Sequence, residues 1–379
     1  MNKKIVSLLL SDYVNDSRVK KISQSLSKSG YCVSIVAMLS DGLKEIEKEG
    51  QVNVYRIFLR SRKFSKVKLV QLIKYFEFMF KFAIRFRKTD VIHCNDLASL
   101  PIGVLVKFIT LNKVKLVYDS HEFAINDKPN ERKASIFFKY CIETVLIRCV
   151  DTVIVVSESI ADEYSRIHKI CKPNIILNTP NFKIKPKQSN VLRERFNIDS
   201  DKVICICQGA LIKGRGIELA LDTFARFEDE LNGFVLIFMG FGELEGLITQ
   251  KSEKHANIFF QPAVPYESIY EYTSSADIGF SLIEPISKSY RLALPNKLFE
   301  YSVSKLKLLV SNIVEQKKIV QEYNLGLVLD ENNEQCLKDT LLKLQKIKVD
   351  DVDFRNLAES YSWNKQQEKL IEIYRKIGL

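Results

Sequence analysis

The segment 293–301, ALPNKLFEY, places a proline, a lysine and a glutamate where a phosphate-bearing ligand could be held. It reads as a loop that closes with Pro295 in the first turn of a helix, where proline loses no hydrogen bond. The free N–H groups and the positive dipole end of such a helix start suit a phosphate. Glu300, one turn further on, suits two neighbouring hydroxyls such as a ribose diol. The pattern therefore indicates a nucleotide-diphosphate site, although an ordinary amphipathic helix explains it equally well.

Two other segments follow predicted strands and carry groups that could act on such a ligand. In 118–123, YDSHEF, His121 stands beside carboxylates that include Glu122, and it could hold a proton or donate to a developing charge. A loop histidine with a structural hydrogen bond is the alternative, and position alone favours that alternative. In 209–216, GALIKGRG, Gly209 lets the backbone approach a ligand, and Lys213 and Arg215 supply positive charge. A solvated turn is the alternative, and phosphate binding is favoured.

Two more turns are weaker candidates. Gly240 and Gly242 form a flexible turn after the next predicted strand, where the backbone could pass near a nucleotide base. Asp16 is able to cap the first helix, and the position of Arg18 beside it makes both candidates for contact with an acceptor or a diphosphate.

Metal chemistry is not expected. The eight cysteines include no CxxC pair, and the four histidines form no HxxxH or His/Cys cluster. Cys205 and Cys207 alternate along a predicted strand, which favours core packing. The segment 349–353, VDDVD, looks like a DxD metal site, but a solvated acidic turn before the last helix is favoured.

The elements that must position these groups alternate between short apolar runs and helical patterns, which predicts parallel sheets built from βαβ units. The alternation stops at a polar, lysine-bearing stretch, 180–189, and then restarts. We therefore predict an α/β fold of two Rossmann-like, doubly wound domains that face each other across a cleft, with ligands at the carboxyl ends of the strands. The expected segments are 1–185, 186–358, and a terminal helical segment, 359–379, that crosses back to the first domain.

Net charge and the lengths of the apolar runs limit which partners and which location are expected. The chain has 379 residues and a net charge of +11, which favours an acidic partner. No run reaches the ~20 apolar residues of a membrane span, and the apolar run at the N-terminus is too short for a signal peptide. A cytoplasmic location is expected.

Much of the positive charge is concentrated in the segment 60–88, which holds ten lysines and arginines and one acidic residue, Glu77. Its helical pattern has two adjacent apolar stripes, of which a globular helix needs one. The first stripe is predicted to be core and comprises Leu69, Leu72, Ile73, Phe76, Phe80, Ala83 and Ile84. The second comprises Tyr75, Phe78, Phe82 and Phe86 and is predicted to meet an anionic membrane surface. A wide buried face is the alternative, and nucleic acid is not expected because no recognition motif accompanies the charge.

Taken together, the segments resemble the family 4 retaining glycosyltransferases, whose GT-B architecture consists of two facing Rossmann-like domains. The similarity runs over nearly the whole chain, and its pieces fall in the expected order. They are 90–96, 119–122, 209–216, 240–242, 275–279 and 294–301, and the last is the most specific. The resemblance implies that the enzyme transfers a sugar from a nucleotide-diphosphate donor and needs no metal ion or other cofactor.

Residue roles carry over by position. Glu300 would hold the donor ribose, and Asn296, Lys297 and Leu298 would lie at the pyrophosphate. Arg215 matches the phosphate-binding lysine of the family, and His121 matches the histidine near the anomeric centre.

Two departures from the family pattern bear on the identity of the donor and on the efficiency of catalysis. The first glutamate of the family, eight residues before Glu300, is Leu292 here, and Glu284 lies sixteen residues upstream. The arginine that usually follows the first glycine of the phosphate loop is Ala210, and Lys213 could replace its charge.

The expected function is retaining transfer onto a lipid-linked or lipid-anchored glycan in bacterial surface polysaccharide assembly, such as lipopolysaccharide or capsule, at the cytoplasmic face of the membrane. A nucleotide-sugar epimerase of the same architecture and a noncatalytic partner subunit are the rival readings. The sugar, the nucleotide and the linkage are left open.

Overall fold

The computed structural model describes residues 3–14, 16–63, 67–127, 129–182, 188–347 and 354–378. The chain divides into two compact units. Unit 1 comprises Met1–Asn126, Glu131–Leu177 and Gln366–Leu379, and unit 2 comprises Asp127–Asn130 and Asn178–Lys365. The boundary predicted at 185/186 falls within 183–187, which lie outside the described residues, as do residues 349–353 of the possible DxD site.

Unit 1 contains an eight-stranded sheet in the order β3-β4-β2-β1-β5-β6-β7-β8, in which every neighbouring pair except β3–β4 is parallel. Its strands are β1 (Lys4–Leu8), β2 (Cys32–Met38), β3 (Ile46–Glu49), β4 (Val52–Ile57), β5 (Val91–Asn95), β6 (Lys115–Ser120), β7 (Thr152–Val155) and β8 (Asn174–Ile175). Its helices up to β8 are α1 (Ser17–Lys28), α2 (Lys68–Phe86), α3 (Asp96–Ile109), α4 (Lys133–Leu146) and α5 (Glu158–His168).

Unit 2 contains a six-stranded, wholly parallel sheet in the order β11-β10-β9-β12-β13-β14. Its strands are β9 (Val203–Ala210), β10 (Phe234–Phe241), β11 (Ile258–Pro262), β12 (Ile278–Ser281), β13 (Lys307–Ser311) and β14 (Gly326–Leu329). The helices of this half of the chain are α6 (Val191–Phe196), α7 (Ile217–Arg226), α8 (Glu245–Ser252), α9 (Ile269–Thr273), α10 (Lys288–Arg291), α11 (Asn296–Val303), α12 (Val314–Glu322), α13 (Glu334–Gln345), α14 (Phe354–Tyr361) and α15 (Trp363–Lys376).

The predicted fold class is confirmed, because both units are α/β with mostly parallel sheets. All twelve strands predicted from apolar runs correspond to observed ones, with ends that differ by a few residues. The predicted strands are 5–10, 32–37, 52–57, 91–94, 115–118, 152–156, 203–207, 234–239, 257–260, 278–282, 307–310 and 326–329. The sequence missed β3 and β8, which are short edge strands with polar residues and carry no apolar run.

The sheet of unit 2 has an apolar layer on each face. Cys205 and Cys207 lie in one layer with Phe238 and Phe280, whereas Ile206 lies in the other. Alternate residues of a strand point to opposite faces, so the prediction that the two cysteines pack in the core is confirmed.

The two apolar stripes of α2 are exchanged relative to the prediction. Phe78 and Phe82 are fully buried, and the aromatic rings of Phe78, Phe82 and Phe86 stack in sequence, with Phe86 also against Tyr55 of β4. The stripe predicted to be core is instead largely exposed; Leu72, Ile73, Phe76, Phe80 and Ile84 are 49–73% accessible. Both stripes are apolar, so the packing partners on β4 and α3 decide which one is buried, and these are not visible in the helix sequence.

Among the described helices, none is both long and apolar enough to cross a membrane.

Candidate functional site

The loop after β9 and the turn after β10 lie against each other at the carboxyl edge of the sheet of unit 2. The Leu211 N–H donates to the carbonyl of Phe241 (2.9 Å), and the Leu244 N–H donates back to the carbonyl of Leu211 (3.0 Å). A Cβ atom at Gly240 would stand 1.8 Å from the Gly209 carbonyl oxygen, so this contact requires glycine. The sequence-predicted Gly209 and Gly240 are thus brought together, and they keep the two turns in contact.

Helix α11 begins beside this loop. Pro295 is its N-cap, one residue earlier than predicted, and cannot supply a capping side chain. Glu300 accepts a hydrogen bond from Gln208 Nε2 (2.6 Å), and the Gln208 Oε1 accepts one from Thr273 (2.7 Å). The buried Tyr301 hydroxyl accepts the backbone N–H of Gln208 (3.0 Å), which anchors the helix to the end of β9. These contacts fix the position of Glu300 at the end of β9.

Two cationic side chains, Lys297 and Arg215, lie near the start of α11. Burial, together with the positive charge of Arg215, lowers the pKa of Lys297 to about 8 against the opposing effects of Cys207 and Glu300. The Arg215 guanidinium lies over the Tyr290 ring, 4.7 Å from its centroid. Its Nε is buried and has no hydrogen-bond acceptor among the described residues. Two cations that repel each other, one with an unused donor, form a site that an anion would stabilise.

The other predicted donor contacts have different surroundings. Lys213 and Asn296 are exposed, and the Lys213 N–H donates to Glu243 (3.2 Å). The Leu298 side chain is fully buried in the core of unit 2, and its N–H donates to the Pro295 carbonyl (3.2 Å). The Gly242 N–H donates to Glu245 (2.6 Å). Their contacts with a donor stay predictions.

Glu284 follows β12 and lies against the loop 209–216. Its backbone N–H donates to the Gly214 carbonyl (2.9 Å), and its carboxylate accepts the Gly216 N–H. Burial, helped by the negative charge of Glu218, raises the pKa of the Glu284 carboxyl. A half-buried carboxyl group is therefore hydrogen-bonded to the loop 209–216, although position 292 holds a leucine.

His121 of unit 1 follows β6 and lies between two carboxylates. Its backbone N–H donates to Asp96 (3.0 Å), its Nδ1 is 3.5 Å from Asp96 Oδ2, and its Nε2 is 3.5 Å from Asp119 Oδ2. Asp96 adopts a left-handed backbone conformation (φ 64°), which is uncommon and often found at functional sites. Burial disfavours the charged imidazole, but the two carboxylates overcome it and raise the pKa of His121 to about 9. The ring is therefore an imidazolium at neutral pH.

Asp119 is the hub of this cluster. It is fully buried, and its carboxylate accepts hydrogen bonds from Arg18 Nε (2.9 Å) and Nη2 (2.6 Å). Burial favours the neutral acid, yet the Arg18 charge and the two histidines hold the pKa of Asp119 well below its usual range. A third donor of Arg18 goes to the Ile176 carbonyl (2.7 Å), so the guanidinium is committed to the protein interior.

The remaining unit 1 candidates have structural contacts. The Asp16 side chain caps α1 by accepting the Val19 N–H (3.0 Å), as predicted. Glu122 is exposed, and its carbonyl accepts the Ser120 hydroxyl (2.6 Å). A role for Asp16 and Arg18 at the acceptor, and for Glu122 in catalysis, stays a prediction.

No group of three or more His, Cys, Asp or Glu side chains able to hold a metal ion occurs in the described part of the chain.

Asp119 and His93 of unit 1 and Gln208 and Tyr290 of unit 2 were not among the predicted site residues. A signal was present for the first three, since each is a polar residue with apolar neighbours in a mostly buried strand. Polar groups are buried only with partners, so such positions mark networks. Tyr290 carried no comparable signal.

Two family models together match most of the chain. Residues 17–178 match the model described as Glycosyltransferase Family 4, and residues 188–375 match the model described as Glycosyl transferases group 1. The chain is therefore a glycosyltransferase of the GT-B superfamily, and the prediction of a transferase is confirmed. A sequence comparison with curated proteins finds no match.

Solved structures share the fold at low sequence identity. Sucrose-phosphate synthase from Thermosynechococcus elongatus is similar with a TM-score of 0.81 and 15% identity over 99% of each chain. HepE from Anabaena, in complex with UDP and glucose, has a TM-score of 0.76 and 12% identity over 99% of this chain and 100% of that one. A UDP-forming α,α-trehalose-phosphate synthase from Burkholderia xenovorans has a TM-score of 0.72 and 12% identity over 100% of both chains.

Proposed function

We propose that this glycosyltransferase moves a sugar, with retention of configuration, from a nucleotide-diphosphate donor to a lipid-linked or lipid-anchored glycan of a bacterial surface polysaccharide. Unit 2 binds the donor, and unit 1 supplies the acceptor side and His121. Since similar structures contain UDP or are UDP-forming, uridine diphosphate is the first nucleotide to test.

The observation that carries the donor assignment is the unneutralised cation pair at the start of α11. The charge of Arg215 helps to lower the pKa of Lys297, and Lys297 lies in the first turn of a helix without a capping side chain. A diphosphate relieves that repulsion, accepts from the unused Arg215 Nε and faces the positive end of the helix dipole. Glu300, oriented by Gln208, then accepts hydrogen bonds from the two ribose hydroxyls.

The chemistry follows from this arrangement. The bond between the anomeric carbon and the diphosphate oxygen breaks with the electron pair going to the diphosphate, and Arg215, Lys213 and the α11 N-terminus stabilise its charge. The acceptor hydroxyl forms the new bond to the anomeric carbon on the same face. Its proton passes to the departing phosphate oxygen, so that no separate base is required.

His121 acts as a charged hydrogen-bond donor to the donor sugar. Its proton is retained at neutral pH because Asp96 and Asp119 stabilise the imidazolium. Glu284 takes the place of the carboxylate that position 292 lacks, because it reaches the phosphate loop through its hydrogen bonds to Gly214 and Gly216. Glu122 remains a secondary candidate in catalysis, and Asp16 and Arg18 remain candidates at the acceptor.

The acceptor is proposed to be membrane-bound because unit 1 carries an apolar and basic face. The outer stripe of α2, from Leu72 to Ile84, is exposed, and the basic residues Arg85, Arg87 and Lys88 follow it. Phe137, Phe138 and Val145 of α4 are also 65–67% exposed. Exposed aromatic and aliphatic groups next to basic side chains suit an anionic bilayer surface. The protein would then work at the cytoplasmic face of the membrane without crossing it.

The test of the reaction is to incubate the protein with nucleotide-diphosphate sugars and a lipid-linked glycan acceptor, and to read the new anomeric linkage by NMR. The expected product keeps the anomeric configuration of the donor. Clean conversion of donor alone into an epimeric nucleotide sugar would establish the epimerase instead. Absence of nucleotide-sugar binding by calorimetry would favour the noncatalytic subunit.

A further inference from the structure

A line of buried polar side chains in unit 1 connects the C-terminal helix to His121. Tyr374 of α15 is fully buried, and its hydroxyl lies 2.6 Å from His93 Nδ1, with the two rings stacked. His93 Nε2 lies 3.2 Å from Asp119 Oδ2, and the same oxygen is 3.5 Å from His121 Nε2. Four side chains from α15, β5, β6 and the loop after β6 thus form one continuous line.

The chemistry of the groups sets the direction of the hydrogen bonds. The Asp119 carboxylate accepts two bonds from Arg18 and, when ionised, can only accept. His93 Nε2 must therefore donate to it. In a neutral imidazole the other nitrogen is then an acceptor, so the Tyr374 hydroxyl donates to Nδ1. Tyr374 thereby selects the tautomer of His93 that supports Asp119.

We propose that Tyr374 is a positioning residue for the glycosyl-transfer step: through His93 it holds the Asp119 carboxylate in the orientation that His121 requires. The catalytic part of this inference rests on the proposed function, whereas the coupling between Tyr374 and His121 does not. Tyr374 lies in the C-terminal segment of unit 1. Through His93 and Asp119 it thus influences the protonation of His121, the residue proposed to act on the sugar.

The charged and titratable groups around the line are few. His121 faces Asp96 at the start of α3, Asp119 on β6 and Arg18 on α1. The Tyr374 ring faces His93 and also Tyr31, whose centroid is 6.1 Å away, and the buried Cys94 thiol lies nearby. The Tyr374 hydroxyl is hydrogen-bonded to His93, so its removal acts first on that ring. His93 Nδ1 is then buried without a donor, the other tautomer becomes accessible, and its Nε2 lone pair would face Asp119.

The first experiment reads the coupling without activity. The chain has four histidines, so the imidazole signal of His121 can be assigned by comparison with His121→Gln and titrated by NMR. In Tyr374→Phe we expect the titration midpoint of His121 to fall by about half a pH unit or more, since Asp119 stabilises the imidazolium less well. Tyr31→Phe, which removes a neighbouring phenol that is not bonded to His93, is the matched control and should leave the midpoint unchanged. An unshifted midpoint in a folded Tyr374→Phe protein overturns the proposal.

The second experiment tests whether the coupling between Tyr374 and His121 contributes to sugar transfer. Tyr374→Phe should lower kcat about tenfold with little change in the donor KM, and the alkaline limb of the pH profile should move to lower pH, because the imidazolium loses its proton earlier. In a His121→Ala background the same substitution should have no further effect on kcat. An equal loss in both backgrounds would show a merely structural role.

Variants of His93 cover the case in which Tyr374→Phe does not fold. His93→Gln keeps an acceptor for Tyr374 and a donor for Asp119, and should retain most of the turnover and the midpoint, whereas His93→Leu should lose both. Equal behaviour of the two variants overturns the proposal. If the NMR shift is found in a protein that transfers no sugar, the proposed function fails and the coupling stands.

Discussion

His121 and Lys297 show how neighbouring charges decide the effect of burial on a side chain. Both are withdrawn from solvent, and burial alone disfavours the charge on each. Two carboxylates reverse this at His121, whose pKa rises to about 9, whereas Arg215 reinforces it at Lys297, whose pKa falls to about 8. One residue therefore holds its proton firmly in the free protein, and the other becomes a stable cation when an anion binds.

The His121 proton should contribute to stability in a defined pH window. The pKa of the folded state is above the ordinary value of 6.5, so the stabilisation is complete below pH 6.5 and is lost as the pH rises through about 9. We expect the free energy of unfolding of the wild type to exceed that of His121→Gln by up to about 3 kcal/mol at pH 6. Urea unfolding at pH 6 and pH 10 checks this, and a difference that does not shrink at pH 10 contradicts it.

The affinity for a nucleoside diphosphate should depend on the Lys297 charge. Below pH 8 the lysine is protonated in the free protein and affinity should be nearly constant; above pH 8 its proton must be taken up on binding and affinity should fall. Titration calorimetry with UDP from pH 6.5 to 9.5 measures this. Lys297→Arg, which keeps its charge, is the control and should flatten the profile, whereas a flat profile for the wild type would exclude Lys297 from the site.

At the scale of elements, α11 is held in place by the contacts of Tyr301 with β9 and β12. The Tyr301 hydroxyl reaches β9 through Gln208, and its ring lies directly over β12. A Cβ atom at Gly279 of β12 would stand 2.4 Å from the Tyr301 ring. The position of Glu300 thus depends on the absence of a side chain in a strand.

Gly279→Ala should therefore displace α11. We expect a loss of about 1–3 kcal/mol in the free energy of unfolding, as for other overpacked cores, together with weaker nucleotide binding. Gly246→Ala is the matched control, since nothing lies within 4 Å of the Cβ it would add. Denaturant unfolding and calorimetry give the two values, and unchanged nucleotide affinity in Gly279→Ala would show that α11 does not depend on this contact.

Substitutions on the exposed face of α2 should affect membrane binding, whereas substitutions on its buried face should affect stability. Replacing Phe76, Phe80 and Ile84 with serine should reduce sedimentation with anionic liposomes and leave thermal stability almost unchanged, because these side chains are 49–73% exposed. Phe82→Ala should instead cost about 3–5 kcal/mol, because its ring is fully buried. Undiminished liposome binding by a folded triple variant would refute the membrane face.

For the whole molecule, much of the fold was predictable because parallel βαβ units leave apolar runs and turn residues in a regular order. The helix start at Pro295 was predictable because its residues are close in sequence, and the donor-binding role of Glu300 stays a prediction. What the sequence did not reveal depends on contacts between distant residues. Tyr374 lies 281 positions from His93, and the face of α2 that is buried depends on β4 and α3.

The proposed function depends most directly on a nucleoside-diphosphate site in unit 2 in which Glu300 holds the ribose. Titration calorimetry of UDP, and of other nucleoside diphosphates in parallel, against the wild type, Glu300→Ala and Glu322→Ala measures it. Glu322 is an exposed glutamate of α12 and serves as the control. We predict binding to the wild type and to Glu322→Ala, and affinity about 10- to 100-fold weaker for Glu300→Ala, because two hydrogen bonds to a carboxylate are lost. Wild-type protein that binds no nucleoside diphosphate, or a Glu300→Ala variant that binds as tightly as the wild type, would contradict the account.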